Sequence, residues 1–194
     1  MVETPPRPVT FEEFLGLPGE GKREWVAGSV IEVEPSNLDH DETRSFLEAT
    51  FREYAIVTDS GTVTGEAYVQ RLEASGRAPD VSFFRKVHGD RLKRTGADGP
   101  ADLVVEVVSP SSRQTDRRDK FHEYEAAGIE EYWIVDPDRR EAEFYRLTDG
   151  RYRSVMPDEE GRVHSSALPG FYLRVEWLWT RPSVLSVFRD FGRL

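Results

Sequence analysis

One stretch limits the fold more than any other. Residues 101–136 read as a buried strand, a helix and a second buried strand, joined by short connections. In "ADLVVEVVSPSS" (101–112), Leu103, Val104, Val105, Val107 and Val108 form a nearly unbroken run of aliphatic and β-branched residues. A run that is apolar on both faces is the pattern of a strand inside a sheet covered on both sides. "EYWIVD" (131–136) repeats it. Between the two, Ser109 can cap a helix that starts at Pro110 and runs to 127, with Gly128 just beyond its end. Strand 102–108, helix 110–127 and strand 131–136 therefore predict a βαβ unit with its two strands adjacent and parallel.

The rest of the chain supplies partners for that unit. Thr10 with Glu13 three residues on is a capping box opening a short helix. "REWVAGSVIEVEP" (23–35) reads as a hairpin turning near Ala27-Gly28, and Asp39 to Tyr54 as an amphipathic helix carrying Phe46, Leu47, Thr50, Phe51 and Tyr54. "GTVTGEAYVQRLEA" (61–74) and "APDVSFF" (78–84) are strand-like. "EAEFYRL" and "RYRSV" flank the turn "TDG" as a hairpin. "GFYLRVEWLW" (170–179) is a late strand or a strand passing into a helix, and a short amphipathic helix follows Pro182 with Val184, Leu185, Phe188 and Phe191. The expected class is α/β, organised as one domain over 10–194 behind a loose tail (1–9) with three prolines.

Composition narrows the function classes. No apolar stretch approaches the roughly 18–20 residues of a membrane helix, and "MVETPPRPVT" has no apolar leader, so no membrane partner is expected. There is no cysteine, which excludes disulfides, thiolate zinc sites and cysteine nucleophiles and makes the cytoplasm the default location. The net charge of −10 weighs against a passive DNA-coating role, while leaving room for a local basic patch or a metal site built from carboxylates. No P-loop, dinucleotide fingerprint, G-x-S-x-G elbow or H-E-x-x-H motif occurs, so no nucleotide cofactor is expected.

Glu106 is the anomaly in the buried run. A buried carboxylate costs several kcal/mol unless it is paired or binds a metal. Asp80 heads a second apolar strand, 26 positions earlier. If the two strands pair, both carboxylates converge at one end of a sheet. Two carboxylates with water and a phosphate oxygen suit Mg²⁺, or Mn²⁺ in its place. Lys120 is the cation available to such a site. It lies in the helix after the Glu106 strand, one turn from Asp116, although by spacing alone the pair also reads as a surface ion pair.

At these residues the chain resembles the Uma-two family, restriction-endonuclease-like proteins of the PD-(D/E)XK nuclease superfamily. The resemblance is carried by "RAPDVSFF", by "DLVVEVVSPSSRQTDRRDKFHEYEAAGIEEYWIVDPDRREAEFYRL" and by "ALPGFYLRVEWLW", and extends back through "TFEEFLGLP", "KREWVAGSVIEV" and "PSNLDH". It implies a restriction-endonuclease-like fold, a mixed central β-sheet flanked by helices, and a divalent-metal site that hydrolyses DNA phosphodiester bonds. Asp80 takes the place of the acid in the PD motif and Glu106 that of the (D/E), with the Val107 carbonyl as a further ligand. The superfamily lysine belongs at 108, where this chain has Val108. The family resembled shows the same gap and draws a lysine from the next helix, here Lys120. Glu24 and His40 correspond to family residues that line the site.

"RKVHGDRLKR" (85–94) holds Arg85, Lys86, Arg91, Lys93 and Arg94 against one acid, Asp90, and is either a grip on the DNA backbone or a solvated loop. Arg113, Arg117 and Arg118 form a second basic run. Tyr132, Trp133, Phe144 and Tyr145 read as core packing, His88, His122 and His164 as surface residues, and Ser109, Ser111 and Ser112 as helix caps. The leading reading is a metal-dependent DNA endonuclease working as a homodimer. The competing class is a nuclease-fold module that binds DNA or protein without cutting, which Val108 and the acidic charge favour. A phosphodiesterase acting on RNA or a nucleotide is a third.

Overall fold

The βαβ unit forms the middle of a six-stranded sheet in the computed structural model, which describes residues 7–18, 21–35, 37–110 and 112–192. In chain order the elements are α1 (Phe11–Gly16), β1 (Arg23–Val26), β2 (Ser29–Glu32), α2 (Leu38–Thr58), β3 (Gly61–Gly65), β4 (Gln70–Arg71), β5 (Ser75–Arg77) and β6 (Val81–Arg85). A 3₁₀ segment (Lys86–Arg91) leads to β7 (Leu103–Val107), α3 (Arg113–Thr115), a π-helical turn (Asp116–Lys120) and α4 (Phe121–Ala126). Then come β8 (Glu131–Asp136), β9 (Glu141–Thr148), β10 (Arg151–Ser154), β11 (Arg162–His164), β12 (Tyr172–Arg174), α5 (Trp177–Thr180) and α6 (Val184–Asp190).

The main sheet has the order β10-β9-β8-β7-β6-β3. β7 and β8 are parallel, in register from Leu103↔Glu131 to Val107↔Val135, as the helical crossover requires. Every other neighbouring pair is antiparallel, so the sheet is mixed. Both central strands are buried at every residue. Alternation along β7 sends Leu103, Val105 and Val107 to one face, where Phe46, Leu47, Phe51 and Tyr54 of α2 cover them. Val104 and Val108 belong to the other face, beneath Tyr124, Ile129 and Tyr132. Glu106 shares the parity of Val104 and Val108, so its carboxylate points to the side of the crossover helix.

A smaller sheet, β2-β1-β5-β4, sits beside the first. Its hairpin turns where expected, with Ala27 at φ 48° and Gly28 at φ 88°; two successive left-handed residues make the tight turn that matches strand twist. The Thr10–Glu13 capping box is present, and Phe11 and Phe14 pack with Val69 and Ala78 against Trp25 and Val30. Val9 of the expected tail donates its N–H to Gly28 O and accepts from the Trp25 indole. Residues 1–6 lie outside the described residues.

Several boundaries differ from expectation, each for a local reason. α2 runs past Tyr54 to Thr58, because its stop is the left-handed Asp59, whose N–H returns to Ala55 O and Ile56 O. The stretch 61–74 is two strands: β3 ends at Gly65, where the chain leaves the main sheet for the small one. The crossover helix starts at Arg113 rather than Pro110. Ser109 and Ser112 instead form a closed turn, each side-chain oxygen accepting the other's N–H; Ser111 lies outside the described residues. Gly128 takes the left-handed position after α4. The apolar stripe of α6 folds back, with Val187 and Phe188 in the core and Leu185 exposed, so it leaves little apolar surface for a partner copy. Tyr132, Trp133 and Phe144 are buried, and His88 is held 2.8 Å from Asp102 rather than standing free. Among the described residues no helix is long and apolar enough to cross a membrane.

Candidate active site

The register of β6 and β7 brings the two acids together. Val81 pairs with Val105, so one further residue along the antiparallel ladder sets Asp80 opposite Glu106. Directly opposed residues share a face, with Cβ atoms about 4.5–5.5 Å apart. Asp80 stands just before β6, and its Oδ2 accepts the Val107 N–H at 2.7 Å, replacing a ladder bond the strand no longer makes. Lys22 Nζ donates to Oδ1 at 2.7 Å, and His40 Nε2 lies 3.3 Å from Oδ2. His40 arrives on the first turn of α2, whose start is set by the Asn37 side chain accepting the His40 N–H.

Glu106 is met from the crossover helix. Tyr124 Oη donates to its Oε1 at 2.7 Å, and Lys120 Nζ lies 3.0 Å from the same oxygen. Lys120 also lies 3.1 Å from Asp116 and 3.4 Å from Glu24. The π turn of Asp116–Lys120 makes this reach possible: widening the helix frees the Asp116 carbonyl, which Tyr132 Oη satisfies at 2.9 Å. Glu24 on β1 is fixed in turn by Arg77, which donates to Glu24 Oε2 at 2.7 Å and with its other nitrogens holds Glu123. The Asp116–Lys120 pair is therefore not a surface pair: Asp116 is 1% exposed and Lys120 5%.

Burial and charge act on each group in opposite directions. Burial alone would raise Asp80, but Lys22 and His40 hold it well below the usual aspartate range. Burial pushes Glu106 up, Lys120 draws it down, and Asp116 and Asp80 raise it again, leaving it at about 7. Burial opposes the Lys120 charge, yet Glu106, Asp116 and Glu24 hold its pKa well above that of an ordinary lysine. For His40, burial is outweighed by the contact with Asp80, and its pKa rises. Lys22, His40, Asp80, Glu106, Asp116 and Lys120 line a cleft of about 420 Å³ whose rim adds Glu34, Asp41 and Glu66.

The donor set suits a hard divalent cation. Among the described residues no three His, Asp or Glu side chains are grouped as metal ligands. Mg²⁺ does not need three: it is commonly held by one or two carboxylates and keeps several waters. Glu106 Oε2 takes none of the bonds above, and both Asp116 carboxylate oxygens are buried without a hydrogen-bond partner, with the Lys120 ammonium 3.1 Å from Oδ1. Asp80, Glu106 and Val107 lie together on the cleft wall.

Six expected side chains thus meet in one place: Asp80, Glu106, Lys120, Glu24, His40 and Asp116. The basic segment does not join them. Arg85 and Lys86 stand at the opposite end of β6 from Asp80, about 17 Å along the strand, where they pair with Asp102, Glu130 and Asp59. Arg91 donates to Pro100 O and Lys93 to Asp90 O. Arg113 and Arg117 pair with Asp136 and, for Arg117, Glu143. Sequence reasoning overlooked Lys22, Tyr124 and Arg77. Lys22 lies two residues before Glu24 and Tyr124 four after Lys120, so strand and helix periodicity could have found both. Arg77 had no such signal.

Comparison with known proteins bears on the fold and the family. A search of the curated proteins finds no match. Among solved structures, a crystal structure described as "a putative nuclease belonging to DUF820" from Anabaena variabilis superposes with a TM-score of 0.73 at 21% identity. The match covers 90% of this chain and 99% of that one, which establishes a shared fold. The Uma-two family, described as "Putative restriction endonuclease", matches residues 11–176. The shared fold and the family match both extend over most of the chain, and the protein belongs to the Uma-two family of restriction-endonuclease-like proteins.

Proposed function

We propose that the protein is a metal-dependent endonuclease that hydrolyses DNA phosphodiester bonds, with Asp80, Glu106 and Lys120 as its catalytic residues. The observation that carries this reading is the register-enforced opposition of Asp80 and Glu106 at the wall of an open cleft, with the Lys120 ammonium 3.0 Å from Glu106. In this reading Asp80, Glu106 and the Val107 carbonyl hold Mg²⁺ or Mn²⁺. A cation so held polarises a phosphodiester oxygen and lowers the pKa of a bound water. Lys120 aligns the attacking water and steadies charge on the phosphate, while Glu24 and Asp116 hold its ammonium in place. Val108 is buried among apolar side chains, so the superfamily position serves packing and Lys120 brings the charge from the helix instead. His40 steadies Asp80. Cutting both strands of a duplex calls for two sites, which a two-fold homodimer would supply.

The test is nicking of supercoiled plasmid with Mg²⁺ and with Mn²⁺, comparing wild type with Asp80→Ala, Glu106→Ala and Lys120→Ala. Each substitution should lower the rate by roughly a hundredfold or more. Activity surviving all three would exclude this site. The second reading, a nuclease-fold module that binds DNA or protein without cutting, is favoured by the acidic rim of Glu34, Asp41 and Glu66, which repels a phosphate backbone from the cleft. It predicts a wild type that leaves the plasmid uncut with either metal. The basic segment is the other proposed DNA contact. Reversing charge at Arg91, Lys93 and Arg94 should weaken binding and flatten its salt dependence, and unchanged binding removes the segment from the interface.

A further inference from the structure

The cleft contains a second lysine that the reading above leaves without a task. Lys22 stands immediately before β1 and two residues ahead of Glu24, so strand alternation turns both side chains to the same side. Its Nζ donates to Asp80 Oδ1 at 2.7 Å, and only 14% of its side chain is exposed. That contact occupies an oxygen of the carboxylate assigned to the cation.

Lys22 and Lys120 are the two lysines lining this cleft, which has no arginine among its lining residues. They are held differently. Lys120 lies within 3.4 Å of three carboxylates, Glu106, Asp116 and Glu24, and the loss of one leaves two. Lys22 has one carboxylate in direct contact, Asp80. It is also carried on a long, flexible stem. A divalent cation on Asp80 would take over the neutralisation that the Lys22 ammonium now provides.

We propose that Lys22 is a place-holding cation, which neutralises Asp80 in the metal-free protein, leaves it when a divalent cation binds, and then offers its ammonium to a phosphodiester oxygen in the cleft. This links cation binding to the appearance of a positive charge in a cleft that is otherwise acidic at its rim. The inference rests on Asp80 and Glu106 being cation ligands.

The test uses Mn²⁺ and the full-length protein. Isothermal titration should show Lys22→Met binding Mn²⁺ roughly tenfold or more tightly than wild type, because no charge-assisted hydrogen bond to Asp80 has to be broken first. Acylation of wild type with an N-hydroxysuccinimide ester, read by mass spectrometry, should label Lys22 several-fold faster once Mn²⁺ is saturating. Labelling of the exposed Lys86 should stay unchanged. A purely structural ion pair moves neither readout in this way. Persistent protection of Lys22 with Mn²⁺ bound, or Lys22→Met binding no tighter than a binding-competent wild type, overturns the proposal alone. Mn²⁺ binding that is absent in wild type, or unaffected by Asp80→Asn, overturns the site reading and this inference with it. If Lys22→Met fails to fold, the labelling of wild type decides.

Discussion

Glu106→Gln isolates the cost of keeping a carboxylate inside β7. Glutamine has nearly the same shape and retains an acceptor for the two donors on Oε1, Tyr124 Oη and Lys120 Nζ. What it removes is ionisation. The Glu106 carboxyl sits at about 7 in the folded protein, against an ordinary 4.5, because burial outweighs the pull of Lys120, with Asp116 and Asp80 adding to it. A carboxyl whose pKa is raised by folding binds its proton more tightly in the folded state. Its contribution to stability is full below the unfolded value and is lost as pH rises through the folded one. At 1.36 kcal/mol per tenfold change in proton affinity, the loss amounts to roughly 3 kcal/mol in total. Glutamine does not titrate, so Glu106→Gln should gain on wild type by about 2–3 kcal/mol between about pH 5 and pH 8. His40 also titrates with a raised pKa, but it is present in both proteins and its contribution largely cancels in the difference. The assay is urea unfolding followed by tryptophan fluorescence, in chelator. A stability difference that stays flat with pH, or grows as pH falls, refutes the account of Glu106.

The remaining predictions concern the surroundings of the site. Arg77→Ala leaves Glu24 and the half-buried Glu123 without their shared guanidinium and should cost about 3–5 kcal/mol in urea unfolding. Arg77→Lys should recover only part of it, because one ammonium cannot reproduce a fork that bonds two carboxylates. Tyr124→Phe removes the hydroxyl that donates to Glu106 and should cost about 1–3 kcal/mol, with a thermal melt as the check. Trp133→Ala opens a void beside Phe51 and Phe144, whose ring centroids lie 5.5 and 5.2 Å away, and should cost about 3–5 kcal/mol; a loss under 1 kcal/mol would mean the site collapses more readily than its packing implies.

The central sheet was legible because its evidence is local and redundant. β7 and the middle of β8 are almost wholly apolar, and the turn between β9 and β10 places Asp149 and Gly150, which suit left-handed angles, at φ 52° and 73°. The less legible parts are those where side-chain chemistry replaces backbone pattern. The start of the crossover helix is displaced by the mutual bonding of Ser109 and Ser112, which competes with helix formation at Pro110. The π turn at Asp116–Lys120 has no propensity signature. The basic segment looked like one patch in the sequence, yet Arg85 and Lys86 turn to acids brought from distant positions, Asp102, Glu130 and Asp59.

For the site, the one-dimensional record contained the residue types and the anomaly: an acid inside an apolar strand, another acid heading a second strand, and a lysine in the following helix. Patterning sets which face a side chain takes, and so those three were nameable before any coordinates. Only the tertiary structure decided how charge is balanced among them. Asp80 meets Lys22 across 58 positions of chain, Glu24 meets Arg77 across 53, and the widened helical turn swings Lys120 onto three carboxylates at once. Coulombic partnership depends on separation in space and on exclusion of water. Neither is written in sequence spacing once the partners come from elements far apart in the chain.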